Sequence, residues 1–158
     1  MTASKAAIGV LGAGAWGTAL AILLARNGHR VLLWGHEPAA LAEIDRTRRN
    51  ARYLPDARLP DGISTRSDLS TLTRDTQQFV IAVPSHAFRS TLTTLAPGVS
   101  SRTVLAWATK GLEPHTGKLL SDVVREVLGS EPARGVVSGP TFAGEVAKGL
   151  PSALCVAA

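Results

Sequence analysis

Short apolar runs alternate with helical repeats of apolar residues along the whole chain. Residues 7–11 form the first run and end in glycines, after which Leu20, Leu23 and Leu24 recur at the spacing of one helix face. An Asn-Gly pair then supplies a helix stop, and a second apolar run follows at 31–34. Strand, turn, helix and strand therefore fit within about 30 residues, which is the size of one βαβ unit.

The same alternation continues to the last residues and predicts an α/β protein. We expect a Rossmann-like, doubly wound, mostly parallel sheet with helices on both faces, forming one domain over residues 1–158. Residues 50–62 hold two prolines and a glycine and are predicted to be a surface loop. The predicted strands are 7–11, 31–34, 63–66, 79–83, 103–107, 135–138 and 152–157, and the predicted helices are 15–27, 38–48, 68–75, 86–95, 117–128 and 141–148.

The glycines after the first strand are Gly12, Gly14 and Gly17, in the spacing G-x-G-x-x-G. In a dinucleotide-binding turn the first glycine allows the tight turn, the second lets backbone approach a pyrophosphate, and the third lets the helix pack closely on the strand. The phosphate would lie on free N–H groups at the positive end of the helix. A glycine turn without a ligand is the alternative.

Length and composition exclude several classes of protein. With 158 residues, of which 45% are hydrophobic and 18% charged, the chain can bury one substantial core. Its apolar stretches are shorter than the roughly 20 residues that span a bilayer, and its N-terminus lacks a secretory pattern. We therefore expect a cytoplasmic protein without a membrane span. Cys155, the single cysteine, lies in an apolar segment and is predicted to be buried.

The net charge of +5 could indicate a nucleic-acid partner, but the arginines are scattered. The exception is the group Arg46, Arg48, Arg49 and Arg52, and few aromatic residues lie among the basic ones. We therefore expect no nucleic-acid partner. We predict that the four arginines mostly form a solvated helix face, while some could reach an anionic cofactor.

Ligands of a doubly wound sheet collect at the carboxyl ends of the strands. Ala15 and Trp16 begin the helix after the first strand, and Trp16 belongs either to the site or to the core. His36 follows the second strand, where an NAD-selective fold normally has an acidic residue that binds the ribose hydroxyls. A tip without negative charge does not repel a 2′-phosphate, so NADPH is admissible. The alternative is that His36 only caps the turn.

Three further strand ends carry candidate chemistry. Lys110 suits an oxygen anion or a hydroxyl over the expected nicotinamide position, unless it is an ordinary exposed lysine. Pro140 and Thr141 predict a helix start with free N–H groups, which is either an anion site or simply a well-made N-terminus. Ser85 can cap the helix after the fourth strand, and His86 beside it has no visible carboxylate partner for acid–base work.

Together these segments make the chain resemble the bacterial NAD(P)-dependent sn-glycerol-3-phosphate dehydrogenases along nearly all its length. The resemblance implies reversible hydride transfer between NAD(P)H and dihydroxyacetone phosphate, giving the sn-glycerol 3-phosphate used for phospholipid synthesis. It implies cofactor contacts by Ala15, Trp16, His36, Tyr53, Lys110 and Ala143, and substrate contacts by Lys110, Gly139 and Thr141. It rests on Gly-Ala-Gly-Ala-Trp-Gly-Thr-Ala-Leu at 12–20, Leu-Trp-Gly-His at 33–36, Asn50 with Tyr53-Leu54-Pro55, Val-Pro-Ser-His at 83–86, Trp-Ala-Thr-Lys-Gly-Leu-Glu at 107–113 and Ser-Gly-Pro-Thr-Phe-Ala at 138–143.

The chain departs from this family in its extent. Members continue into a C-terminal helical domain that carries a second lysine, the general acid–base, and most of the substrate-phosphate site. Lys118 and Lys148 match no motif for that role and are interpreted as solvated helix residues. We therefore expect the chain by itself to bind nucleotide and to be nearly or fully inactive. A homodimer of the full-length enzyme is a further expectation.

Two other functions stay open. One is another dehydrogenase of the 6-phosphogluconate-dehydrogenase-like group, against which the segments 109–111 and 138–141 argue. The other is a stand-alone nucleotide-binding or regulatory module.

Overall fold

The computed structural model describes residues 6–130 and 132–158, so the stretch 1–5, which enters the expectation of a cytoplasmic location, lies outside the described residues. Strands and helices alternate along the described part. The strands are β1 Ile8–Leu11, β2 Val31–Trp34, β3 Arg49–Asn50, β4 Leu54–Arg58, β5 Ile63–Arg66, β6 Gln78–Ile81, β7 Val104–Trp107, β8 Ala133–Ser138 and β9 Cys155–Ala157. The helices are α1 Ala15–Arg26, α2 Pro38–Thr47, α3 Leu72–Asp75, α4 Ser85–Leu95, α5 Leu120–Leu128 and α6 Ala143–Lys148, with a 3₁₀ turn at Ala96–Gly98.

Seven of the described strands form one sheet in the order β5-β2-β1-β6-β7-β8-β9. Neighbours from β5 to β8 pair in parallel, and β9 pairs antiparallel with β8. The chain therefore starts in the middle of the sheet, builds to one side through β2 and β5, and then builds to the other side from β6. The predicted Rossmann-like, mostly parallel sheet is confirmed, and its order reverses between β1 and β6, where such sheets bind ligands.

Alternate residues of the central strands enter two apolar layers, one on each face of the sheet. Val10 of β1 and Leu33 of β2 pack with residues of α1, α2 and α6. Leu11 and Leu32 pack with residues of α3, α4 and α5 on the other face. All four side chains are at most 2% exposed. The short apolar runs are thus buried on both sides, as parallel strands between helices must be.

The segment 50–62 contains a hairpin and is not only the surface loop that the sequence predicts. β3 and β4 pair antiparallel as a separate two-stranded sheet. Leu54 and Leu59 of this segment are 8% and 1% exposed and join the apolar layer of α1. Pro55 lies within β4, which is tolerated because each strand of a two-stranded hairpin has a free edge.

The arginine group is only in part a solvated helix face. α2 ends at Thr47, and Arg48 has a left-handed backbone with φ of 54° that turns the chain into the hairpin. Arg48 and Arg49 donate to backbone carbonyls of residues 55–63. The prediction is therefore wrong for Arg48, Arg49 and Arg52, which follow the helix, and confirmed for Arg46, an exposed residue of α2.

The prediction that Cys155 is buried is wrong, because the thiol residue is exposed. Its strand, β9, lies at the edge of the sheet beyond β8, and all three of its residues are exposed. The apolar run at 153–157 is therefore an edge strand and does not lie in the core.

Three helices begin later than their apolar patterns predict. α3 covers only Leu72–Asp75, α5 begins at Leu120, and α6 begins at Ala143. Lys118 therefore precedes α5, so its predicted place on a helix is wrong, whereas its predicted exposure is confirmed. Its ammonium donates to the carboxylate of Glu126 in α5. Apolar spacing locates the buried face of a helix, but it leaves the first turn undefined.

Candidate functional site

A cavity of about 770 Å³ opens above the carboxyl ends of β1, β2, β6 and β7, where the order of the sheet reverses. The hairpin and the segment before α6 complete its wall. Of the predicted site residues that the structure describes, Gly17 and Gly139 do not line this cavity. Nine of the residues predicted for the site line the cavity, and they are Gly12, Gly14, Ala15, Trp16, His36, Tyr53, Lys110, Thr141 and Ala143.

Two of the three glycines are required by the fold itself. Gly12 has φ of +119°, and a Cβ there would lie 2.9 Å from the carbonyl carbon and oxygen of Ala82 at the end of β6. A Cβ at Gly17 would lie 1.8 Å from the carbonyl oxygen of Gly12. The turn therefore closes against the end of β6 on one side and against α1 on the other, which only glycines permit.

Gly14 is different, because a Cβ there would meet no described atom within 4 Å. Within α1, the first turn has no side-chain cap and no acidic residue, so the N–H groups at its start lack a side-chain acceptor. These N–H groups and the helix dipole favour an anion. Trp16 in this turn is half-buried, packs on the apolar layer of α1 and also lines the cavity, so it belongs to both core and cavity wall.

The hairpin holds the glycine turn from outside. The side-chain amide of Asn50, which is 3% exposed, donates to the carbonyl oxygen of Ala13 and to the hydroxyl of Thr18, both at 2.8 Å. The same residue also lines the cavity. In the sequence Asn50 enters only as part of the resemblance, since no local pattern shows that a loop amide reaches back over 37 residues to the first turn.

Charged side chains surround the end of β2. His36 is 80% exposed, and its Nε2 lies 3.5 Å from Oε1 of Glu37. Nη1 of Arg52 donates to both carboxylate oxygens of Glu37, at 3.1 and 3.2 Å. The Arg52 guanidinium also lies 5.0 Å from the ring centroid of Tyr53. The tip of β2 thus carries an acidic residue after all, but an arginine from the hairpin already neutralises it.

Lys110 is an exposed residue at the carboxyl end of β7, directly after buried Thr109. The hydroxyl of Thr109 donates to the carbonyl oxygen of Val83, 2.8 Å away, which joins this strand end to that of β6. His86, in the first turn of α4, lines the same cavity. The prediction that Ser85 caps α4 is wrong, because Ser85 is the first residue of the helix and makes no cap hydrogen bond.

An ion-pair network closes the loop that follows Lys110. The carboxylate of Glu113 accepts hydrogen bonds from Arg89 of α4 at 2.6 and 2.9 Å and from the hydroxyl of Thr116 at 2.6 Å. The guanidinium of Arg89 is the main reason why the pKa of Glu113 is lowered to about 2, and the Thr116 hydrogen bond adds to it. Arg89 also bonds to Glu126 of α5, so three parts of the chain meet there.

Thr141 lies between β8 and α6, and its hydroxyl oxygen is buried without a hydrogen-bond partner among the described residues. The predicted helix start at Pro140 and Thr141 is wrong, since α6 begins at Ala143 and its N-cap residue is Phe142. Extended backbone at Phe142 separates the proline from the helix. A buried hydroxyl without a partner costs free energy, so a ligand that bonded to Thr141 would remove that cost.

Gly139 has a clear packing role. A Cβ there would lie 2.4 Å from the carbonyl oxygen of Ala153, because the chain leading into β9 crosses closely over the end of β8. This close approach explains the glycine without any ligand.

The family model described as NAD-dependent glycerol-3-phosphate dehydrogenase N-terminus matches residues 7–158. The chain belongs to this family. The glycerol-3-phosphate dehydrogenase (NAD(P)+) of Klebsiella pneumoniae is 51% identical over 158 residues, which is 100% of this chain and 47% of that protein. The chain therefore spans about half the length of the curated relatives that it matches.

Solved glycerol-3-phosphate dehydrogenases have the same fold. The crystal structure of the enzyme from Coxiella burnetii matches with a TM-score of 0.90 and 40% identity, over 98% of this chain and 47% of that one. The enzyme from Saccharomyces cerevisiae matches with a TM-score of 0.84 and 29% identity, over 96% and 47%. In the described ranges, no helix is both long and apolar enough to cross a bilayer.

Proposed function

We propose that this chain binds NAD(P)H in the cavity at the reversal of the sheet and serves as the cofactor-binding part of a glycerol-3-phosphate dehydrogenase. The observation that carries the proposal is the open space at Gly14 beside the uncapped start of α1. Packing within the chain explains why positions 12 and 17 are glycines, whereas no described atom requires Gly14 to lack a side chain. A pyrophosphate that approaches the backbone at Gly14 supplies that reason.

The cofactor fits the groups that surround the cavity. Backbone N–H groups at Ala15 and Trp16 would bind the pyrophosphate, and His36 and Tyr53 would flank the adenosine end. Ala143 would contact the cofactor from the opposite wall. The hydroxyl oxygen of Thr141, buried without a partner among the described residues, would gain a hydrogen bond from a polar ligand group. NAD(P)H supplies the hydride when it is bound, and the residues around the cavity would bind it, orient it and exclude water.

Lys110 is the residue that we assign to substrate. Its side chain is exposed at a strand tip that faces the cavity, and the Thr109 and Glu113 hydrogen bonds hold the loop on both sides of it. An ammonium there donates to the carbonyl or hydroxyl oxygen of dihydroxyacetone phosphate or sn-glycerol 3-phosphate. Thr141 would bind the same substrate, and Gly139, which has no side chain, would contact it through backbone atoms.

Several parts of this function remain predictions. Catalysis would need a second lysine and a phosphate site from a C-terminal helical domain, so residues 1–158 alone would bind nucleotide and turn over little or no substrate. A homodimer, the absence of a nucleic-acid partner and a cytoplasmic location also stay predictions.

Titration of the chain with NADPH and NADH tests the cofactor assignment. Trp16 and Trp34 both line the cavity, so tryptophan fluorescence should change on binding and give a dissociation constant. Arg46→Ala is a matched control, because Arg46 is exposed and pairs with Glu43 away from the cavity. A fluorescence signal that neither nucleotide changes, with no heat in calorimetry, would refute the assignment.

Lys110→Ala in the active enzyme tests the substrate assignment. If Lys110 donates to the reacting oxygen, kcat should fall by about 100-fold or more while the dissociation constant of NADPH changes by less than about 3-fold. Lys118→Ala provides the control, since Lys118 bonds to Glu126 outside the cavity. Equal losses in rate and cofactor affinity would mean that Lys110 only holds the cofactor.

A further inference from the structure

The ion pair at the end of β2 joins two elements that both border the cavity. Glu37 follows the strand, and Arg52 comes from the turn between β3 and β4. Both carboxylate oxygens of Glu37 are bonded to the same nitrogen of Arg52, Nη1. Nε and Nη2 of Arg52 make no hydrogen bond among the described residues, and the side chain is 64% exposed. Part of the guanidinium donor set is therefore free beside His36.

The two charges favour different forms of the cofactor. A carboxylate at the end of the second strand accepts hydrogen bonds from ribose hydroxyls and repels a 2′-phosphate. An arginine at the same place donates to phosphate oxygens in a planar fork. Here Arg52 neutralises Glu37 and still has donors free for an anion. The ring of Tyr53 under its guanidinium limits where those donors can move.

We propose that Arg52 selects NADPH over NADH by binding the 2′-phosphate, and that Glu37 opposes this selection. The inference rests on the proposed function, because it requires the adenosine end of the cofactor to lie at the end of β2. Hydrogen bonds from Arg52 to Glu37 hold the arginine at the end of β2. When Arg52 is absent, the uncovered carboxylate of Glu37 binds the 2′-hydroxyl of NADH instead.

The proposal predicts opposite effects from the two partners of one ion pair. Arg52→Ala should weaken NADPH binding by about 10-fold and leave NADH binding unchanged or stronger, so the preference for NADPH falls. Glu37→Gln keeps the shape of the side chain and removes its charge, and it should raise the preference for NADPH by about 3-fold or more. An ion pair that only fixes the hairpin would change both affinities alike, in the same direction for both variants.

The experiment measures dissociation constants of NADPH and NADH by tryptophan fluorescence at one fixed ionic strength, for the unsubstituted chain and each variant. Adenosine 2′,5′-bisphosphate and AMP serve as second probes, since they differ only in the 2′-phosphate. Arg52→Lys keeps the charge without the planar fork, and Arg46→Ala removes an exposed arginine of α2 that does not line the cavity. Circular dichroism and urea unfolding check that each variant is folded.

Opposite shifts of the NADPH-to-NADH ratio in Arg52→Ala and Glu37→Gln, reproduced with the two adenosine nucleotides and missing in Arg46→Ala, support the proposal. A ratio that stays within about 2-fold in Arg52→Ala, with both cofactors still bound, overturns it and leaves the proposed function standing. If the unsubstituted chain binds neither cofactor, the proposed function and this inference both fail.

Discussion

Asn50→Ala should loosen the glycine turn from outside the cavity. The substitution removes two hydrogen bonds of 2.8 Å, to the carbonyl of Ala13 and the hydroxyl of Thr18, at a residue that is 3% exposed. Each buried hydrogen bond contributes about 1 kcal/mol, and the hydroxyl of Thr18, a residue that is 0% exposed, loses a partner inside the core. We expect the free energy of unfolding to fall by about 2–3 kcal/mol and NADPH binding to weaken by about 10-fold.

Urea unfolding followed by tryptophan fluorescence measures the loss of stability, and the slope of the transition should stay unchanged. A double-mutant cycle with Thr18→Ala isolates the contact between the two side chains and should give a coupling of about 1 kcal/mol. Arg49→Ala is the control, because it removes an exposed contact on the same strand without touching the turn. A stability of Asn50→Ala within about 0.5 kcal/mol of the unsubstituted chain would refute the reasoning.

Three further outcomes follow from the structure. Gly17→Ala should prevent stable folding, which would be seen as loss of the cooperative urea transition. Gly14→Ala should fold, with a change of about 1 kcal/mol or less in the free energy of unfolding, and should bind NADPH at least about 10-fold more weakly. Phe88→Ala should cost about 3–5 kcal/mol, because the ring is fully buried 6.3 Å from Trp107, whereas truncating exposed Phe142 should cost less than about 0.5 kcal/mol. Glu113→Gln should be less stable than the unsubstituted chain near neutral pH. This difference in the free energy of unfolding should shrink as the pH falls from 4.5 to about 2, because the pKa of Glu113 is lowered in the folded state. A difference that does not depend on pH in urea titrations would contradict the ion pair with Arg89.

The first βαβ unit could be predicted closely because its signals are local. The glycine spacing, the apolar run before it and the helical spacing after it all lie within about 30 residues. β1 and β2 differ from the predicted strands by at most one residue at an end, and α1 ends one residue early. The strand tips that meet at the cavity followed from the same pattern, since parallel strands bring their carboxyl ends to one edge.

The hairpin at β3 and β4 could not be predicted, because its strands are two and five residues long and one of them contains a proline. Arg48 ends α2 in a left-handed conformation, which is uncommon for arginine and has no sequence signal of its own. The prediction of a helix face is wrong for Arg52, because Arg52 lies in the turn between β3 and β4. Its ion pair with Glu37 depends on a contact between residues 15 positions apart, which only the folded chain shows.

The three glycines of the turn are subject to two different constraints, which are packing of the backbone at Gly12 and Gly17 and access for a ligand at Gly14. A descendant of this chain that kept the fold but gave up its ligand could replace Gly14 at little cost, whereas Gly12 and Gly17 would stay because the chain's own backbone fills the space beside them. An alanine or serine at the middle position of an otherwise intact turn would therefore mark a domain that has lost its nucleotide. In designed or natural variants of this fold, the residue at position 14 therefore reports on ligand binding, whereas the residues at positions 12 and 17 report on folding.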